Sequence, residues 1–162
     1  MGLDDSFPRA FAKAQIAAGN ALPLGGRVFI SVRDEDKPGA AELAARLVKL
    51  GFEVVATAGT AAFFRQRGVA CETVLKVNEG RPHIVDKLID REIALVFNTT
   101  SGRKAIEDSF SIRRQTLMNG IPYFTALTSC RAAVAAIEAL RQGPLTVKSL
   151  QEYHSAGGRP GA

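Results

Sequence analysis

Apolar positions along the chain switch repeatedly between two periods. Five short runs rich in β-branched and aromatic residues read as strands: Arg27–Val32, Glu53–Ala56, Thr73–Val77, Ala94–Asn98 and Pro122–Ala126. Several are almost continuously apolar, as strands buried on both faces of a parallel sheet must be. Between them the apolar residues fall at helical spacing. Leu43, Leu47 and Leu50, broadened by Ala40, Ala44 and Val48, form one stripe, with Glu42, Arg46 and Lys49 elsewhere and Gly51 as the stop. Thr60 is placed to cap a short helix through Phe63 and Phe64 that ends at Gly68, and Pro82 suits the first turn of a helix carrying Ile84, Val85, Leu88 and Ile89. Ile106, Phe110 and Leu117 mark a longer helix, and Val134, Ile137 and Leu140 another, before Gly143 and Pro144. Strands alternating with helices long enough for crossovers predict an α/β fold with a doubly wound parallel sheet.

The ends depart from this alternation. Residues 4–18 predict an amphipathic helix with Phe7, Phe11 and Ala14 on one face, followed by a loose stretch from Gly19 to Gly26. Such a helix can pack on a neighbouring domain or cap this sheet. Thr146–His154 predicts a short helix with Leu150 and Tyr153, and the Gly/Pro-rich Ser155–Ala162 a disordered tail.

Composition narrows the class. The chain has 162 residues, 46% of them apolar, which suits one domain with a core that needs neither disulfide nor metal. No apolar run approaches the roughly 20 residues that span a bilayer, and the opening residues lack the basic and apolar segments of a signal peptide. Cys71 and Cys130 have no zinc-site companions, so they are expected to be reduced thiols in a cytoplasmic protein. The net charge of +5 fits nucleic acid, a phosphorylated small molecule, or solubility alone. The basic residues (Lys37, Lys76, Arg81, Arg103, Lys104, Arg113, Arg114) are scattered, and no aromatic RNA-binding signature accompanies them. Nucleic acid and membrane are therefore not expected partners.

In an open parallel sheet, ligands bind beyond the carboxyl ends of the strands. The residues there are rich in hydroxyls, glycine and lysine. Thr57, Gly59 and Thr60 have the ingredients of a phosphate-binding turn: two hydroxyls, a glycine that lets the backbone approach, and a following helix that aims amides at an anion. Lys37 and Lys76 can add charge from neighbouring strand ends. Residues 98–102, Asn-Thr-Thr-Ser-Gly, offer similar chemistry at the next edge, suited to a sugar or base. Threonines before helices are also simply caps, and both lysines could be solvated charges. Neither a dinucleotide fingerprint nor a P-loop is present. Cys71 and Cys130 read as packing thiols, and His83 either adjoins the pocket or serves the first turn of its helix. No acid–base pair stands out, so the residues advertise binding more than catalysis.

Four segments, 31–37 (SVRDEDK), 56–60 (ATAGT), 76–83 (KVNEGRPH) and 98–108 (NTTSGRKAIED), resemble the carboxy-terminal regulatory domain of the carbamoyl-phosphate synthase large subunit. Segments 11–15 and 149–154 match as well, so the resemblance covers residues 1 to about 154. It implies the methylglyoxal-synthase-like fold, a three-layer sandwich whose five parallel strands are ordered 3-2-1-4-5. It further implies a leading helix and linker (1–22) from the preceding synthetase region, a regulatory domain (23–154) and a tail (155–162), with Met1 internal to a longer protein. Regulatory domains of this family take nucleoside monophosphates, UMP inhibiting and IMP activating. Carried over by position, Lys37, Thr57, Thr60 and Lys76 are the expected phosphate clamp. Asn98, Thr99 and Thr100 are the expected wall towards ribose and phosphate, with Ser31 at the pocket edge.

The resemblance implies no catalytic residue, metal or cofactor in this segment. ATP and Mg or Mn belong to the missing synthetase domains, and the remaining large-subunit domains and the glutaminase small subunit are the expected protein partners. Thr125-Ala126 stands where ornithine-activated members carry two threonines, which weighs against ornithine; UMP is the expected effector. The alternative is a methylglyoxal synthase, a phosphate lyase that shares the fold and the clamp. That enzyme carries an aspartate in a Gly-Gly-Asp stretch after the third strand, where this chain has Glu79 to His83, and His-rich residues where this chain has Ser31 to Arg33. The cyclohydrolase domain of purine synthesis shares the first-strand and Gly-Thr motifs but has no counterpart to residues 98–102.

Overall fold

The apolar run that follows Gly26 becomes the central strand of a five-stranded parallel sheet in a computed structural model, which describes residues 1–100 and 103–156, with only the backbone for 103–108 and 156. The strands are β1 (Gly26–Ser31), β2 (Phe52–Thr57), β3 (Glu72–Val74), β4 (Ile93–Asn98) and β5 (Tyr123–Phe124), ordered 3-2-1-4-5 as the resemblance implies. The helices are α1 (Phe7–Ala17), α2 (Lys37–Lys49), α3 (Ala58–Gln66), α4 (Ile84–Ile89), α5 (Arg103–Met118), α6 (Leu127–Gln142) and α7 (Leu150–Ala156). The chain winds outward from β1 to β3, returns to β4 beside β1, and winds outward again to β5. That reversal puts the topological switch point between the carboxyl ends of β1 and β4.

Alternation along each strand builds two cores. Val28 and Ile30 of β1, Val54 of β2, and Leu95 and Phe97 of β4 face α2, α3 and α6; Phe29, Val55 and Val96 face α4 and α5. The leading helix α1 packs on α6 and buries Ala12, so it covers this domain's own helical layer. A two-point pair ties α2 to α6: Arg46 Nε and Nη2 donate to Glu138 Oε1 and Oε2 at 2.8 and 2.5 Å. The hydrogen bonds from Arg46 hold the Glu138 carboxyl below its ordinary value of 4.5. Its stabilisation is therefore fully present above that value and is lost as pH falls through the lowered one. We expect Glu138→Ala to cost up to about 1 kcal/mol at pH 7, since the pair is partly exposed. Urea denaturation at a series of pH values should show the gap to wild type closing below pH 4.5.

Some elements differ in detail from the sequence expectation. The third strand stops at Val74 instead of Val77, because Glu79 folds back to accept the Lys76 N–H at 2.8 Å and closes a turn there. The fifth is only Tyr123–Phe124, since Pro122 has no N–H to give and Ala126 is already the N-cap of α6. Thr57, not Thr60, is the N-cap of α3, and Thr60 lies within its first turn. Pro82 precedes α4 instead of opening it, because His83 and Asp86 form a reciprocal capping box: His83 N donates to Asp86 Oδ2 and Asp86 N to His83 Nδ1. The longer helix forms as α5, but Phe110 and Leu117 point to solvent, at 69% and 82% exposure, while Ser109, Ile112 and Thr116 face inward. The Ile106 side chain lies outside the described residues. So does most of the expected tail, 157–162, whereas 155–156 close α7. No helix among the described residues is long and apolar enough to cross a membrane.

Candidate functional site

The carboxyl ends of β1, β2 and β4 carry most of the residues singled out by the sequence. Ser31 ends β1 and Thr57 ends β2, and parallel pairing sets them side by side, with Ser31 Oγ 3.4 Å from Thr57 Oγ1. Thr57 takes extended backbone at the start of α3 but makes no side-chain cap bond, so its hydroxyl is not spent on the helix. Thr57 and Thr60 are 6% and 2% exposed. Both are therefore buried at this end of the sheet, where the first turn of α3 leaves backbone amides without intrahelical acceptors.

Lys37 comes from the start of α2 and reaches across to α3. Its Nζ lies 3.6 Å from where a Cβ at Gly59 would project, so the ammonium rests on the glycine face of the Thr57–Thr60 turn. The same Nζ pairs with Asp34 Oδ1 at 2.6 Å. Lys76 is exposed beyond the end of β3, the strand whose Val74 pairs with Thr57. It is thus on the same rim as the turn, from the far side.

The wall from β4 is fixed differently. Thr99 N donates to Ser31 O at 3.1 Å, and Arg33 N donates to Thr99 O at 3.2 Å, which continues the β1–β4 ladder past the strand ends. Asn98 is 2% exposed and donates through Nδ2 to the Tyr123 hydroxyl at 2.9 Å, so its amide is turned along the sheet towards β5. Thr100 is half-buried beside them. Ser101 and Gly102, the rest of that motif, lie outside the described residues.

Asp36 organises this edge, and sequence reasoning passed over it. Its carboxylate accepts Arg33 Nε at 2.8 Å and a hydrogen bond from Thr99, and the residue is only 8% exposed. Burial pulls its carboxyl upward, but those two hydrogen bonds together with the charge of Arg33 outweigh it and hold the group below the usual aspartate value. Asp36 therefore locks the loop that delivers Lys37 to the residue that follows β4. The available signal was the Arg33–Asp36 spacing, which places a cation and an anion one turn apart.

The other candidates settle into structural roles. His83 is buried and serves α4 through the capping box. Burial pushes the Cys71 thiol up to about 11 and the Cys130 thiol up to about 12, so neither is a thiolate near neutral pH. No cluster of three or more His, Cys, Asp or Glu among the described residues could hold a metal. Lys37, the Thr57 and Thr60 hydroxyls and the start of α3 lie at one end of the sheet, a chemistry that suits a compact anion such as a phosphate group.

Comparison with known proteins places this arrangement in a family. The model for the MGS-like domain matches residues 39–125. The chain is 51% identical over 160 residues to the carbamoyl phosphate synthase large chain of Myxococcus xanthus, covering 99% of this chain and 15% of that protein. It is 49% identical over 162 residues to the large chain of Gemmatimonas aurantiaca and 53% identical over 156 residues to that of Pseudomonas putida, covering 100% and 96% of this chain and 15% and 14% of those proteins. This chain thus spans about 15% of the length of these relatives. Among solved structures, a methylglyoxal synthase from Elizabethkingia anophelis shares the fold, with a TM-score of 0.57 at 15% identity over 71% of this chain and 80% of that one. With a five-stranded 3-2-1-4-5 sheet, a matching family model over more than half its length and relatives similar from end to end, this chain belongs to the MGS-like domain family.

Proposed function

We propose that this chain is the allosteric regulatory domain of a glutamine-hydrolysing carbamoyl-phosphate synthase large subunit, and that nucleoside monophosphates bind across its strand ends. UMP is the inhibitor and IMP the activator in this reading, so the site adjusts carbamoyl phosphate supply to pyrimidine and arginine synthesis. The observation that carries it is the Lys37 ammonium resting over Gly59 at the start of α3. In that position it neutralises a phosphate while the Thr57 and Thr60 hydroxyls and the α3 amides bind the oxygens. Lys76 closes the clamp from beyond β3, and Ser31, Thr99 and Thr100 line the nucleoside side, with Asn98 behind them bonded to Tyr123.

The segment itself is non-catalytic in this reading. Glu79, in the region where a lyase carries its aspartate, is committed to the Lys76 turn. ATP and its metal act in the synthetase domains, and the chain works in the cytoplasm with those domains and the glutaminase small subunit. An effector acts by binding two states of the whole enzyme unequally, a coupling typically worth about 1–3 kcal/mol.

Calorimetric titration of UMP tests the assignment. Wild type should bind, and Lys76→Ala should bind roughly ten-fold more weakly, the loss expected for one charge-assisted contact. Equal binding by both proteins, or none by wild type, would sink it.

A further inference from the structure

The Lys37 ammonium has a partner supplied by its own loop. Asp34 Oδ1 lies 2.6 Å from Lys37 Nζ, across a single 3-10 turn formed by Asp34–Asp36. The two side chains differ sharply in surroundings: Lys37 is 17% exposed, folded against the α3 turn, whereas Asp34 is 93% exposed and reaches in from solvent. We propose that Asp34 is an internal competitor for the anion bound at this edge, its carboxylate taking the charge that an incoming phosphate must take over. This rests on the strand-end site being a phosphate site, and it adds a residue that sets the affinity.

The geometry suits displacement. A carboxylate presents an oxygen to an ammonium as a phosphate does, but with less charge and fewer acceptor oxygens. The neighbouring acids are engaged elsewhere: Asp36 with Arg33 and Thr99, and Glu35 with Arg33 at 3.7 Å. The turn's own backbone bonds, Asp36 N to Arg33 O and Lys37 N to Asp34 O, do not involve the Asp34 carboxylate, so its side chain can swing away without unfolding the loop. An exposed pair of this kind holds its cation weakly, by up to roughly five-fold. It therefore lowers affinity without blocking the site.

The test is calorimetry at low ionic strength, with inorganic phosphate and UMP as probes, on wild type, Asp34→Asn, Glu35→Gln and Lys37→Ala. We expect Asp34→Asn to bind both probes about two- to five-fold more tightly, the difference shrinking as salt is added. Glu35→Gln changes net charge equally and should leave affinity unchanged. Weaker or unchanged binding by Asp34→Asn overturns the proposal, because Asp34 would then orient Lys37 or do nothing. Equal tightening by Glu35→Gln overturns it too, by assigning the effect to overall charge. If wild type binds neither probe, or Lys37→Ala binds as well as wild type, the phosphate reading itself has failed.

Discussion

Lys37→Ala is expected to weaken UMP binding roughly ten- to a hundred-fold, the range for losing one hydrogen bond to a charged group. In the proposed site this removes the more enclosed of the two lysines, the one that lies against Gly59, whereas Lys76 is exposed beyond the end of β3. Fold stability should hardly move, because Lys37 is paired only with the exposed Asp34 among the described residues. A thermal melt unchanged within a degree or two, beside a calorimetric loss of this size, separates a binding role from a structural one. The wild-type affinity should also fall as salt screens the lysine–phosphate attraction, and the variant should show a shallower salt dependence. Full affinity in Lys37→Ala would move the phosphate away from the α3 turn altogether.

Residue pattern carried much of this architecture, for reasons visible in particular segments. Strands β1 and β4 are buried on both faces, so their apolar runs are unbroken and stand out. Gly51 and Gly68 end α2 and α3 in the left-handed region, with φ of +79° and +74°, where glycine is favoured and easily recognised. Strand β3 was overestimated because Leu75, Lys76 and Val77 look like strand residues, yet the Glu79 carboxylate captures the Lys76 N–H. Local hydrogen bonding of that kind competes with a ladder and leaves little mark on hydrophobic periodicity.

The candidate site was legible by residue type but not by proximity. Thr57, Gly59 and Thr60 lie within one turn, so their cooperation follows from spacing. That Lys37 lies over Gly59, or that Thr99 and Asp36 meet, depends on how β1 and β4 are brought together at the switch point. Parallel pairing joins residues some sixty-six positions apart, as in the Arg33–Thr99 bond, and no local pattern encodes that distance. Asp36 was missed in part for the same reason: its Arg33 partner lies three residues away, but its Thr99 partner comes from the end of β4.

The largest stability effect should come from Phe97→Ala, and the contrast with Phe110→Ala shows why burial, not residue type, decides it. Phe97 is 1% exposed near the carboxyl end of β4, with Ile30 of β1 and Phe124 of β5 as its register partners. Its ring meets Phe124 edge-on at 6.0 Å, and Phe124 in turn meets Phe11 of α1 at 6.3 Å, so one aromatic chain links the sheet to the leading helix. Truncation removes that contact and opens a cavity that the flanking strands are too rigid to refill, at a cost of about 3–5 kcal/mol. For a domain of this size that corresponds to a melting-temperature drop of roughly 6–20 °C. Phe110, 69% exposed on α5, should lose no more than about 0.5 kcal/mol on the same substitution. Calorimetric melts of the two variants provide the comparison. Similar losses for both would mean that the outer face of α5 is covered, and that the inward set of Ser109, Ile112 and Thr116 is misassigned. A large loss for Phe97 alone would place the core where β4 meets β5 and α1, next to the Asn98–Tyr123 bond at the carboxyl end of the sheet.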